Sequence, residues 1–298
     1  MVDQVPSLAL EFLLASQNKD GGWPYSIGVQ SYPEPTCYSL LSLFTVEEAL
    51  SPSIRNLVAS KDLGVLWLGN HLDANGALVL DNDSAPNWGT SLAVLTFSFV
   101  QADIALRDRA INYLLSFKGL PLEPNPIAPM NTQLIGWPWV SNTFSWVEPT
   151  SYAILALRQA GYAAHPRVAE AERLLLDRVC VDGGWNYGNP IVFDKVLDAF
   201  VPTTAWALMA LHDVAAAKEA VERGLAFLQQ ATKQYPSTLS LALTILCLNL
   251  FEEQTEPFVS LLLERQQVDG SWRHMIHLTA LSVLALQSVW GGINVFKA

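Results

Sequence analysis

Three ionisable residues occupy the same place in a recurring pattern. Glu34, Glu148 and His277 each stand two residues before a threonine (Thr36, Thr150 and Thr279) that opens a small or apolar run. Aromatic residues gather at the same offset. Tyr38, Tyr152 and Trp206 lie two residues after their threonines, while Trp88, Phe144 and Trp146 come before theirs. Carboxyls and an imidazole near one another suit general acid–base work, and aromatic faces stabilise positive charge through their quadrupole. Together they fit proton transfer to an apolar molecule whose charge then travels between rings. Glu148 is the first candidate for the acid, because a Trp-rich segment precedes it and Tyr152 follows one turn later. Glu34 and His277 are candidates for base or proton relay. Plainer readings stand beside these. A Glu just before Pro at a helix start gains from free backbone N–H groups and the helix dipole, and aromatic residues also fill cores.

The elements that must position these groups repeat. The threonine-led run occurs six times: TCYSLLSL from Thr36, TSLAVLTF from Thr90, TSYAILAL from Thr150, TAWALMAL from Thr204, TLSLALTI from Thr238 and TALSVLAL from Thr279. These runs are apolar nearly all round, as in helices buried on every side. Before each lies an amphipathic helix, over roughly 6–17, 54–72, 106–117, 166–180, 218–232 and 256–267. Each amphipathic helix is expected to pack on the buried run that follows it. The predicted fold is all-α: a closed, double-walled (α/α)6 barrel of six helical hairpins, forming one domain over residues 1–298. An open solenoid is the alternative. The residues preceding the six threonines are expected at one level, with Glu34 and His277 adjacent where the ring closes and Glu148 across the cavity. The aromatic segment 134–146 is expected to cover the mouth.

A second motif links the helices: QNKDGGW at 17–23, VDGGW at 181–185 and QQVDGSW at 266–272, with degenerate versions at 73–77 and around Gly119. Asp and Gly suit a turn that ends a helix. Trp23, Trp185 and Trp272 then lie back on the helix end as staples. Q…DGGW turns alternating with PT-x-x-A-x-x-A-L helices resemble the prenyltransferase and squalene–hopene cyclase repeat superfamily across essentially the whole chain. The resemblance implies a class II terpene cyclase-like domain that cyclises or isomerises an apolar, isoprenoid-type substrate in a central cavity. Class II cyclases carry a DxDD-T motif whose middle Asp is the proton donor. No copy here matches it; WVEPT at 146–150 comes nearest, with Glu148 in the middle place, and YPEPT at 32–36 is second, with Glu34. A lone Glu is a weaker acid, with an ordinary pKa of about 4.3 that burial raises. A barrel that binds an apolar ligand without turnover is therefore one alternative. A carbohydrate-active α/α barrel is another, since aromatics and carboxylates also serve sugars. Protein prenyltransferase β subunits hold zinc with an Asp-x-Cys and a His. His277 resembles that His, but the Asp-x-Cys counterpart is VPTTAW at 201–206 and His274 adds no third ligand, so no metal and no cofactor are expected. DNDS at 81–84 reads as a loop, and Asp194 and Asp198 read as two acids on one solvated helical turn.

Composition narrows the classes. Of 298 residues 51% are hydrophobic and 15% charged, ample for a core. A formal charge of −11 disfavours nucleic acid and anionic lipid as partners. Cys37, Cys180 and Cys247 read as free, buried thiols in a reducing compartment. With no signal segment and no apolar stretch long enough to span a bilayer, a cytoplasmic protein acting on an apolar small molecule is expected. The chain leaves no room for a second helical domain, so a loop or a partner subunit, such as another copy in a homo-oligomer, is expected to supply the lid.

Overall fold

The computed structural model describes residues 5–46, 56–80, 87–124 and 130–298. Among them are twelve α-helices: α1 (Val5–Ala15), α2 (Pro33–Phe44), α3 (Leu57–Asn70), α4 (Asn87–Phe99), α5 (Ile104–Ser116), α6 (Val147–Gln159), α7 (Pro166–Asp177), α8 (Val201–Ala210), α9 (Lys218–Gln234), α10 (Thr238–Leu250), α11 (Glu256–Leu263) and α12 (Ile276–Trp290). The even-numbered helices carry the threonine-led runs. Each packs on the next, and α12 packs on α2, so the inner ring is closed. Inner helices such as α10 and α12 are buried on all sides over most of their length. Burial on every side suits a core helix between ring neighbours, an outer helix and the barrel axis.

The outer helices correct one expectation. Each packs chiefly on the inner helix before it in sequence: α3 on α2, α5 on α4, α7 on α6, α9 on α8 and α11 on α10. The hairpin is therefore inner-then-outer. The outer helix α1 packs on α12. The first outer helix thus clasps the last inner one. Two further contacts seal the junction. The Ile276 N–H donates to the Tyr25 carbonyl at 3.1 Å. Gly270 adopts φ +86°, and a Cβ there would stand 2.4 Å from the Leu8 carbonyl oxygen, so only glycine lets this turn meet α1.

The repeated threonine and tryptophan have one structural purpose. Thr36, Thr150, Thr204 and Thr279 accept, through Oγ1, the backbone N–H of Trp23, Trp137, Trp185 and Trp272 at 2.8–3.0 Å. Each of those indoles donates back to a carbonyl in the last turn of an outer helix: Leu13, Leu114, Leu175 and Leu262 respectively, at 2.7–2.9 Å. Every staple pairs a buried indole N–H with a carbonyl of a last helical turn, and those of Leu13, Leu175 and Leu262 share it with the backbone N–H three residues on. In the second repeat Leu78 takes the tryptophan's place, its N–H donating to Thr90 Oγ1 at 2.9 Å. Trp137, not the neighbourhood of Gly119, provides the staple of the third repeat. The fifth repeat has no indole there; Ser237 caps α10 through the Ser240 N–H at 3.0 Å.

Residues 191–196 form a small antiparallel hairpin, and Asp194 sits in its turn at φ +57°. Asp194 and Asp198 therefore do not share a helical turn; positive φ breaks any helix there. The segment 81–84 lies outside the described residues. All three cysteines are free and buried. No described helix is long and apolar enough to cross a membrane.

Candidate active site

The six inner helices converge on a cavity of about 260 Å³. Its walls come from their first two turns: Glu34 and Tyr38 of α2, Trp88 of α4, Glu148 and Tyr152 of α6, Pro202 and Trp206 of α8, Leu239 of α10 and Leu281 of α12. Spacing of four residues on α2, α6 and α8 places each pair one above the other on a single helical face. Trp139, from the loop before α6, completes the wall.

Aromatic rings form a continuous chain around this space. Trp139 meets Trp88 edge-on with centroids 5.7 Å apart, and both approach Tyr152 at 6.4 and 6.2 Å. Tyr152 meets Trp206 at 4.8 Å, and Trp206 stacks on Tyr38 at 6.4 Å. The Tyr38 hydroxyl is buried and makes no well-formed hydrogen bond; the Tyr152 hydroxyl is its polar neighbour.

Two carboxyls enter this box. Glu148 Oε1 accepts the Thr203 hydroxyl at 2.7 Å. Burial holds its pKa above the ordinary value, and the bond from Thr203 only partly offsets that. Glu34 Oε2 accepts a very short hydrogen bond from the Tyr25 hydroxyl. Its pKa is raised by burial first, lowered in part by Tyr25 and raised again by the charge of Glu148. Both residues keep some exposed surface, but it faces the cavity. Two carboxyls that feel each other in a poorly solvated space favour retaining a proton.

His277 is at the expected helical level but outside the cavity wall. The chain segment through Tyr25, anchored by the Ile276 N–H, places the Tyr25 ring edge-on to His277 at 5.2 Å. Tyr25 therefore stands between Glu34 and His277. The imidazole Nδ1 is buried and unpartnered, and burial lowers the His277 pKa to about 4, so the ring is neutral at pH 7. Pro236 also leaves the ring, because α10 begins only at Thr238. His274 turns away to an exposed bend and meets Asp269 at 2.8 Å. No group of three candidate metal ligands occurs among the described residues.

Phe144 and Trp146 are likewise not in the cavity wall. They pack on each other at 4.6 Å and border a separate pocket with Leu120, Leu122 and Arg178. Trp146 caps α6 in extended conformation, which turns its side chain away from the face that carries Glu148. The segment 134–146 reaches the cavity through Trp139 instead. Trp139 and Tyr25 have no place in the threonine-led repeat, so no offset marked them; only the aromatic density of 134–146 pointed towards the first.

No family model matches the chain, and no curated protein sequence matches it. Solved structures do. The type II terpene cyclase MstE from Scytonema superposes with a TM-score of 0.69 at 15% identity, over 98% of this chain and 99% of that one. A variant of MstE in complex with its substrate, geranylgeranyl dihydroxybenzoate, gives 0.65 at 16% identity over 96% of each chain. An inactive variant of an alpha-1,6-mannanase from Salegentibacter, in complex with alpha-1,6-mannotriose, gives 0.64 at 9% identity over 97% of this chain and 98% of that one. The chain has the all-helical fold of the type II terpene cyclases, which the mannanase shares.

Proposed function

We propose that the protein cyclises or isomerises an apolar, isoprenoid-type molecule by proton transfer in the central cavity. The observation that carries this reading is the composition of the wall: two carboxyls, five aromatic rings and three apolar side chains, with no amide, guanidinium or ammonium group. Such a wall offers a proton and a path for positive charge, and beyond its carboxyls and tyrosines it has no amide or cation to hold sugar hydroxyls. It therefore supports an apolar ligand over a carbohydrate, although the fold occurs with both.

In this reading Glu148 gives its proton to a terminal alkene carbon or an epoxide oxygen. A C–H or O–H bond forms as the substrate π bond or C–O bond gives up its electron pair, leaving a carbocation. A second π bond of the substrate attacks it, the charge moves along the rings, and a C–H proton finally leaves to the Glu34 carboxylate, with Tyr25 and His277 behind it as relay. The net change is an isomerisation and needs no cofactor. Binding without turnover is the second reading, favoured by the raised pKa of Glu148, which makes it a weak acid.

The test is incubation with linear polyprenes and their terminal epoxides in D2O. Turnover of an alkene that places one deuterium on carbon at the initiating position, or cyclic alcohol from an epoxide, supports the enzyme when Glu148→Gln abolishes it. Tight binding with no product supports the carrier. Copurified oligosaccharide, seen by mass spectrometry after extraction, would overturn both.

A further inference from the structure

The mouth of the cavity faces the starts of the inner helices. Its opposite end is closed by a segment that belongs to no repeat. Residues 291–298 fold back across the far ends of α10 and α12. Asn294 Nδ2 donates to the Leu246 carbonyl at 2.9 Å and to Asn249 Oδ1 at 3.1 Å. Asn249 Nδ2 in turn donates to the Ser288 carbonyl at 3.0 Å, and the Phe296 N–H donates to Asn294 Oδ1 at 3.2 Å. This network drives Phe296 inward until it is 4% exposed, with its ring edge-on to Trp206 at a centroid distance of 5.2 Å. Trp206 is a wall of the central cavity. On its other side Phe296 borders an open groove of about 520 Å³ with Arg158, Met209 and His212, at the far ends of α6 and α8. Two rings, Trp206 and Phe296, thus separate the cavity from the groove.

We infer that Phe296, packed behind the cavity wall at Trp206, backs the floor of the cavity and so sets the length of the ligand it accepts, limiting it to about ten carbons. The size follows from volume. An apolar cavity of about 150 Å³ holds benzene, so 260 Å³ holds a hydrocarbon of about ten carbons in proportion. The limit is imposed by a side chain outside the repeats, so it can change without disturbing the staples or the ring of acids. Phe296 touches no reacting group in the proposed mechanism; it acts by holding Trp206 in place and by occupying the path to the groove. This inference rests on the reading of the cavity as a ligand site, although its test needs no turnover.

The test uses linear primary alcohols of six to fourteen carbons as probes, with binding read from tryptophan fluorescence. Each methylene that enters an apolar site strengthens binding about fourfold. In the wild type that increment is expected to continue to about ten carbons and then stop. In Phe296→Ala it should continue to about thirteen, because Trp206, no longer backed by the Phe296 ring, can move into the vacated space and open the way to the groove. Phe296→Leu, which retains most of the packing, should move the limit by one or two carbons and decides the matter if the alanine variant fails to fold. The same limit in all three proteins overturns the inference, as does binding of no alcohol by the wild type. A wrong assignment of the chemistry would appear elsewhere, as turnover unaffected by Glu148→Gln.

Discussion

Glu148→Gln separates two physical accounts of the same residue without any substrate. If Glu148 is a helix-start anion, its charge interacts favourably with the dipole of α6, and the neutral amide should lose about 0.3–1 kcal/mol at pH 7 and above. If burial dominates, the opposite sign follows. The folded-state pKa lies above the ordinary glutamate value, with burial as the largest cause. A carboxyl raised in this way favours folding fully below its unfolded pKa, and that contribution is lost as pH rises through the folded pKa. The amide has no proton to lose, and its oxygen can still accept the Thr203 hydroxyl now bound at 2.7 Å. Wild type and variant should therefore be equally stable within about 0.5 kcal/mol at pH 4, the size of change usual for a site with no lost contact. The variant should pull ahead as pH rises, by about 1.4 kcal/mol for each unit by which the pKa is displaced. Urea denaturation followed by tryptophan fluorescence from pH 4 to 8 measures this difference, and contributions from other titrating groups cancel in the comparison. A variant that is less stable than wild type at pH 8, or a difference that does not change with pH, would refute burial as the controlling influence and remove the basis for Glu148 as a protonated donor. In catalysis the same change should reduce turnover by about 10²–10⁴-fold, the usual contribution of a positioned acid.

Three further outcomes are expected. Thr204→Val leaves the Trp185 N–H without the acceptor now at 2.9 Å, and should cost about 1–3 kcal/mol in urea denaturation; no loss would mean that the threonine does not hold the turn. Gly270→Ala forces a side chain into φ +86° and against Leu8, so it should destabilise by more than about 1 kcal/mol, and thermal unfolding that matches wild type would count against closure of the ring through α1. His277 should remain neutral until about pH 4 in NMR titration, and its contribution to stability, about 3 kcal/mol at full extent, should disappear as pH falls from 6.5 to 4; a midpoint near 6.5 would place the imidazole in solvent.

Architecture was legible because it is written six times. The apolar runs and the Asp–Gly–Trp turns are repeated solutions to local demands, burial on every side and closure of a helix end, and repetition makes them visible over any one irregular copy. The site was legible only where it shares the repeat. Glu34, Tyr38, Trp88, Glu148, Tyr152 and Trp206 occupy the second and sixth places of their helices, and helical geometry sends both places to the axis. Phe144 and Trp146 precede the helix, where side-chain direction depends on loop conformation, and periodicity carries no information about it. His277 shows the same limit in another form: its place in the helix was right, but a neighbouring loop brought Tyr25 across its path. Pairing of each outer helix with the preceding inner one was also out of reach, since either neighbour offers an equally apolar surface.

The division of labour along each inner helix explains how one scaffold accommodates different chemistries. Outside the fifth repeat the threonine accepts the N–H of the turn through Oγ1, and Thr36 and Thr279 also donate to the carbonyl four residues back, Tyr32 at 2.7 Å and Met275 at 2.9 Å. Such a threonine cannot change without loosening the junction between an outer and an inner helix. Two residues earlier, no such demand exists. That place holds Glu, Trp, Glu, Pro, Pro and His in the six repeats, although in the fifth it falls before the helix. A residue there still receives the free N–H groups of a helix start, which favour an acid electrostatically, while facing a space too poorly solvated to let that acid ionise freely. The two influences oppose each other at one position, and the balance between them sets how readily a carboxyl on this ring parts with its proton. Burial prevails at both Glu34 and Glu148, so each carboxyl on this ring holds a proton more firmly than a free one does, and the charge of either further hinders ionisation of the other.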